Sequence, residues 1–172
     1  MERILMLAAH PDDEAIFGFR DLFYNDVTVI CFTNGANKTR RAEFELSAKT
    51  FGFNPHMLNY RDSEGGRRKA DVWNIPDETI FHKEIKPLIK NTVFDLVVSH
   101  DAEGEYGHVQ HKRVHTIART TAAALKLPFA DFASRWHMGY TKELIEAKRC
   151  IVDIYTSQKS VVLRYMNYFE PK

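Results

Sequence analysis

Histidine and carboxylate side chains crowd into two short stretches of this sequence. The first reads His10-Pro11-Asp12-Asp13-Glu14; the second reads His100-Asp101, then Gly107-His108-Val109-Gln110-His111, with His115 one helical turn further on. Four of the chain's eight histidines fall between positions 100 and 115. Residues three or four apart share a helical face, so His108, His111 and His115 point the same way on a helix. Two imidazoles and one carboxylate, with a remaining position for water, make a catalytic zinc arrangement. A closed structural site normally takes four protein ligands, often cysteines. The two cysteines, Cys31 and Cys150, are too far apart in sequence to supply one. The same donor set suits non-haem iron, so residue types leave Zn2+ and Fe2+ both open. Asp12 or Asp13 alone would be explained by helix capping, and Pro11 by the first helical turn. That reading does not account for His10 closing an apolar strand beside two carboxylates.

The elements that must position these groups follow from the apolar pattern. ILMLAA (4–9), VTVICF (27–32) and FDLVVSH (94–100) are short apolar runs without clean alternation, as expected of strands buried on both faces of a parallel sheet. HMLNY (56–60) is a third strand candidate in chain order. AIFGFRDLFY reads as a helix after the first strand, and RRAEFELSAKTFG as a helix after the second, with Thr39 as N-cap and Gly52 at its stop. A further helix begins near Pro76 and Asp77, and another runs from about His108 through KRVHTIARTTAAALK. The alternation predicts an α/β fold: a single-domain, doubly wound, Rossmann-like sandwich with a mostly parallel sheet and right-handed crossovers. Ligands in such folds sit at the carboxyl ends of the strands, and both polar clusters fall there.

A chain of 172 residues suits one domain over 1–172, with a full core and no staple. Lys and Arg total 24 against 23 Asp and Glu, so net charge gives no footprint for nucleic acid or an anionic membrane. No apolar run approaches the roughly 18 residues of a membrane helix, and MERILMLAAHPDDE runs into acidic residues and not into a cleavage site. Cys31 and Cys150 lie in apolar stretches and read as free thiols, which points to a cytoplasmic protein. Residues 61–74, with Arg67-Arg68-Lys69 leading to Trp73, read as a long loop beside the site. It is either a solvated flap or a grip for a phosphate. Arg40 and Glu43 read either as a helix-surface ion pair or as a substrate contact through Arg40. Trp136, His137 and Tyr140 read as packing.

Ala9-His10-Pro11-Asp12-Asp13-Glu14 and Gly107-His108-x-x-His111, at this spacing, resemble the LmbE-like or PIG-L family of zinc-dependent N-deacetylases. Thr33-Asn34-Gly35, Arg40-x-x-Glu43, Phe51-Gly52 and Tyr155-Thr-Ser157-Gln158 look like the family's successive landmarks, so the resemblance spans most of the chain. It implies that His10, Asp13 and His111 hold the metal and that Asp12 is the general base. It implies that His108 stabilises the oxyanion and protonates the leaving amine, and that Tyr106 closes over the substrate. Relatives commonly have His-Pro-Asp-His where this chain has His108-Val109-Gln110-His111. The carboxylate that would charge and orient His108 is then an amide, with Asp101, Glu103 or Glu105 as substitutes from the preceding loop. After AHPDDE the family's usual glycines are reduced to Gly18, which implies different packing of the first helix.

The expected function is hydrolysis of an N-acyl group, acetyl first, from an amino sugar or similar small-molecule amine. The chain is short for the family, which leaves room for a homo-oligomeric partner to complete the pocket. The competing expectation is a non-catalytic sugar-binding module, motivated by Gln110. A nucleotide-dependent enzyme is disfavoured, because no Gly-x-Gly-x-x-Gly or P-loop follows any strand.

Overall fold

A computed structural model describes residues 1–63, 73–136 and 141–168. The basic loop Arg67-Arg68-Lys69, His137 and Tyr140 lie outside the described residues. Five parallel strands, β1 (Arg3–Ala8), β2 (Asp26–Thr33), β3 (Asn54–Tyr60), β4 (Leu96–Ser99) and β5 (Phe129–Asp131), form one sheet in the order β3-β2-β1-β4-β5. Successive residues of β1 enter different cores. Ile4, Met6 and Ala8 join one apolar cluster, and Leu5, Leu7 and Ala9 join the cluster on the opposite face. Both faces being covered explains why the strand sequences run apolar without alternation.

The helices divide between the two faces. Lys38–Phe51 and the short C-terminal helices Phe132–Trp136, Lys142–Lys148, Ile151–Ile154 and Lys159–Tyr165 supply Phe44, Trp136, Leu144, Tyr155 and Val162 to the first cluster. The segment from Asp77 to Leu88, which passes through a π turn at Phe81–Ile85, and the helix Val109–Leu125 supply Ile80, Ile85, Val114 and Ile117 to the second. This is the doubly wound α/β sandwich that the sequence predicts, with a switch in strand order between β1 and β4. The crevice at their carboxyl ends is therefore the place for a ligand.

Three local expectations are corrected. The stretch AIFGFRDLFY is not one helix but two, Asp13–Ile16 and Phe19–Tyr24. At the break, a Cβ on Gly18 would stand 2.6 Å from the Met6 side chain and 2.8 Å from the Glu14 carbonyl. The N-cap of Lys38–Phe51 is Asn37, whose side-chain oxygen accepts from the N–H groups of Thr39 and Arg40 at 3.1 and 3.2 Å. Thr39 lies inside the first turn. Strand β5 was not foreseen, because three half-buried residues are too few to show a period. Gly52 ends its helix at φ 78 as expected. Cys31 is buried, Cys150 is half-buried, and both are free thiols. Among the described residues, no helix is long and apolar enough to cross a membrane.

Candidate metal centre

The chain leaves β1 into a tight turn that folds back on its own candidate donor groups. The Ala9 carbonyl accepts from the Thr33 N–H and hydroxyl at 3.1 and 2.9 Å, which ties the strand end to β2. The His10 N–H donates to Asp13 Oδ2 at 2.7 Å, and His10 Nδ1 lies 3.1 Å from the same oxygen. Between them Asp12 adopts φ 123, a region L-residues rarely enter. Backbone of this kind persists only where its surroundings hold it. Here the Asp12 N–H donates to Glu14 Oε2 at 3.0 Å, and the fully buried Glu14 carboxylate accepts from the Ser47 hydroxyl at 2.8 Å and from the Tyr155 hydroxyl. Arg40 Nη2 reaches the Pro11 carbonyl and lies 3.3 Å from Asp12 Oδ2.

The second group of candidate ligands comes from beyond β4. His108 precedes the helix Val109–Leu125 and caps it, its Nδ1 accepting from the Gln110 N–H at 3.2 Å. One turn in, His111 is fully buried, with Nδ1 2.6 Å from Glu105 Oε2. Its Nε2 lies 3.2 Å from His10 Nδ1 and 3.4 Å from Asp13 Oδ2. His10 Nε2 meets the Gln110 side-chain oxygen at 2.9 Å. That oxygen can only accept, so His10 donates its Nε2–H and turns its Nδ1 toward Asp13 and His111.

Two imidazole nitrogens and a carboxylate oxygen thus converge within 3.1 to 3.4 Å of one another, a donor set for a divalent cation with a side left open toward the cavity. His100 also stands near, its Nε2 3.4 Å from Asp13 Oδ2. That nitrogen, however, accepts from the Ala9 N–H at 3.1 Å, which occupies its lone pair. Among the described residues two other groupings also bring three possible donor atoms together, His10 with His108 and His111, and Asp13 with His100 and His111.

Charge is arranged to match. Burial opposes a charge on His10, but the Asp13 carboxylate and then Asp62 outweigh it and hold a proton on the ring well above the usual imidazole range. Burial would likewise raise Asp13, yet the imidazoles of His111, His10 and His100 keep it well below the carboxylate range. Asp12 goes the other way: burial, opposed by the Arg40 guanidinium and reinforced by Asp13, lifts it to about 8. His108 is pushed down to about 3 by burial and by the like charges of His10 and His111.

The seven residues given a metal, catalytic or substrate role in the sequence gather at or directly beside one cavity of about 950 Å³. His10, Asp12, Asp13, Arg40, Tyr106 and His108 line it, and His111 lies below His10. Tyr106 stacks on Tyr165 at the mouth, ring centroids 4.3 Å apart. Arg40 and Glu43 are buried, 3.2 Å apart, which removes the surface-pair reading. Glu43 also accepts from the Ser157 N–H and hydroxyl, both at 2.7 Å, so the C-terminal landmark is anchored to Arg40. Gln110 does not take the place expected of it. Its side chain contacts His10 and bonds the segment after β3, donating to the Arg61 carbonyl at 2.8 Å and accepting from the Ser63 N–H at 3.2 Å. Among the described residues no carboxylate pairs with His108, and neither Asp101 nor Glu103 replaces the missing one. Asp62, 3.4 Å from His10 Nε2, was missed. Its signal was available, an acidic residue just past the end of β3.

Comparison with known proteins follows the same outline. A PIG-L family model, described as GlcNAc-PI de-N-acetylase, matches residues 5–122. An uncharacterized protein of Acanthamoeba polyphaga mimivirus is 31% identical over 127 residues, 64% of this chain and 53% of its own. A probable N-acetylglucosaminyl-phosphatidylinositol de-N-acetylase of Dictyostelium discoideum is 29% identical over 119 residues, 64% of this chain and 45% of its own. The N-acetylglucosaminyl-phosphatidylinositol de-N-acetylase of Bos taurus is 28% identical over 136 residues, 73% of this chain and 53% of its own. The chain spans about half the length of the curated relatives it matches.

Proposed function

This chain belongs to the PIG-L family, and on that premise we propose that it is a metal-dependent hydrolase that removes an N-acyl group, acetyl first, from an amino sugar or similar amine. The observation that carries this reading is the convergence of His10 Nδ1, Asp13 Oδ2 and His111 Nε2 beside a buried Asp12 at the floor of an open cavity. The three donors fit zinc, with iron(II) as the alternative.

A bound divalent cation would polarise the acyl carbonyl and make a water acidic enough to attack it. Asp12 is the general base. Burial lifts its carboxyl above the usual carboxylate range, while Arg40 opposes that rise, so it is a stronger base than an exposed carboxylate and can return the proton it takes. After accepting the proton of the attacking water, Asp12 delivers it to the leaving amine. His108 approaches substrate as a neutral ring, because its Nδ1 lone pair is held by the Gln110 N–H. Its role is then to donate Nε2–H to the carbonyl oxygen as negative charge develops, and not to act as the charged acid that the resemblance implies. Arg40 holds Asp12 and faces the cavity, and Tyr106 and Tyr165 offer a stacked aromatic wall for the substrate.

A non-catalytic sugar-binding module was motivated by the amide at Gln110. That side chain reaches His10 and not His108, so its lack of charge says nothing against turnover. Acetate release from a panel of N-acetylated amino sugars, by wild type and by Asp12→Asn, tests the proposal. Zinc-dependent release that the substitution abolishes supports it; sugar binding without release in any metal form would favour the binding module.

A further inference from the structure

Glu105 occupies a costly position. It adopts φ 55 and ψ −70 inside the turn Gly104–Gly107, a backbone region sparsely used by residues with a side chain. The loop holds it there: its N–H donates to Asp101 Oδ1 at 3.0 Å, Asp101 N–H returns a bond to Oε1 at 3.2 Å, and the Tyr168 hydroxyl donates to its carbonyl. The result is a carboxylate with no solvent exposure whose Oε2 meets two imidazoles, His100 Nδ1 at 3.0 Å and His111 Nδ1 at 2.6 Å. The two rings are stacked, with centroids 3.9 Å apart.

An ionised carboxylate only accepts, so both rings must donate Nδ1–H and keep a lone pair on Nε2. The two lone pairs meet different neighbours. His100 Nε2 accepts the Ala9 N–H at 3.1 Å, at the end of β1 immediately before His10. His111 Nε2 faces Asp13 Oδ2 and His10 Nδ1. We propose that Glu105 is the positioning residue of the metal cradle. It fixes His111 directly as an Nδ1–H ring with Nε2 free for the cation, and through His100 it fixes the strand end that carries His10 and Asp13. His100 on this account is a brace and not a metal ligand. The inference rests on the metal-centre reading above and extends it to a residue outside the donor set.

Zinc affinity, measured by competition with a chromophoric chelator, and imidazole tautomers, read from 1H–15N correlation spectra of the zinc-loaded chain, test it together. Glu105→Gln offers a single accepting oxygen and brings donor hydrogens of its own, so zinc should bind about 10- to 100-fold more weakly. His100→Gln keeps an acceptor for Ala9 and should bind zinc within about threefold of wild type, because no ligand is lost. Wild-type spectra should show Nδ1–H rings for both His100 and His111, which decides the matter even if Glu105→Gln fails to fold. An Nε2–H ring for His100, unchanged zinc affinity in Glu105→Gln, or loss of zinc in His100→Gln as complete as in His111→Ala would each overturn the inference. A wild-type chain that binds no divalent metal would overturn the metal-centre reading along with it. Tight wild-type binding with an indifferent Glu105→Gln would overturn this inference alone.

Discussion

Asp12 is where chemistry and strain coincide. It sits at φ 123, pinned by Glu14 through its N–H and by Arg40 through its carboxylate. With Asp12 proposed as the base and not as one of the three donors, Asp12→Asn should keep its metal while turnover falls by roughly two to four orders of magnitude. Metal analysis beside acetate release checks this, and loss of metal would exchange the roles of Asp12 and Asp13. Arg40 draws the Asp12 pKa down from where burial and Asp13 would put it. In Arg40→Gln the folded-state pKa rises, so the limb on which kcat/KM climbs with pH should move upward by about one unit or more. A limb that stays in place would separate Arg40 from the base. At this scale the two clusters of histidine and carboxylate were legible, since capping does not account for His10 closing an apolar strand beside two carboxylates, whereas the choice of His10, Asp13 and His111 as donors came from the family resemblance. The reach of Gln110 was not legible. Position 110 follows from the helix, but whether its amide turns toward His108 or His10 depends on where β1 and the segment after β3 end, which only the assembled sheet decides.

Among the elements, the turn from β1 into its two short helices carries the site and depends on close approach at Gly18. A Cβ there would stand 2.8 Å from the Glu14 carbonyl as well as against Met6, and the side chain of Met6 can yield more easily than a carbonyl can. Gly18→Ala should therefore cost about 1–3 kcal/mol of stability, read by urea denaturation of the metal-free chain. Stability equal to wild type would mean the turn has slack. Three of the five strands, β1, β2 and β4, were visible as apolar runs because two-sided burial removes the polar alternation that would otherwise mark a strand, while β3, half-exposed along most of its length, was legible only as a candidate. The helix Lys38–Phe51 was visible from its charged face and Gly52, while its start was misplaced by two residues because Asn37 and Thr39 are both good caps. The break at Gly18 was foreshadowed only as altered packing, since neither the Met6 contact nor the Glu14 carbonyl is close to it in an extended reading of the sequence.

For the whole molecule, the sheet order matters more than any single contact. Placing β1 beside β4 brings residues 10–13 against residues 100–111, and apolar layers on both faces hold the two strands there. In the metal-free chain the Asp13 carboxylate holds a proton on His10 well above the usual imidazole range. A cation must displace that proton, so zinc affinity should rise by about tenfold per pH unit while His10 remains protonated. Chelator competition at several pH values measures the slope, and a flat profile would mean that His10 is not a ligand. The most direct measurement is the divalent metal content of the purified chain, wild type against His111→Ala and His10→Ala. The account predicts a single zinc or iron ion per wild-type chain and almost none in either variant; a wild-type chain without metal, or metal that survives both substitutions, would contradict it.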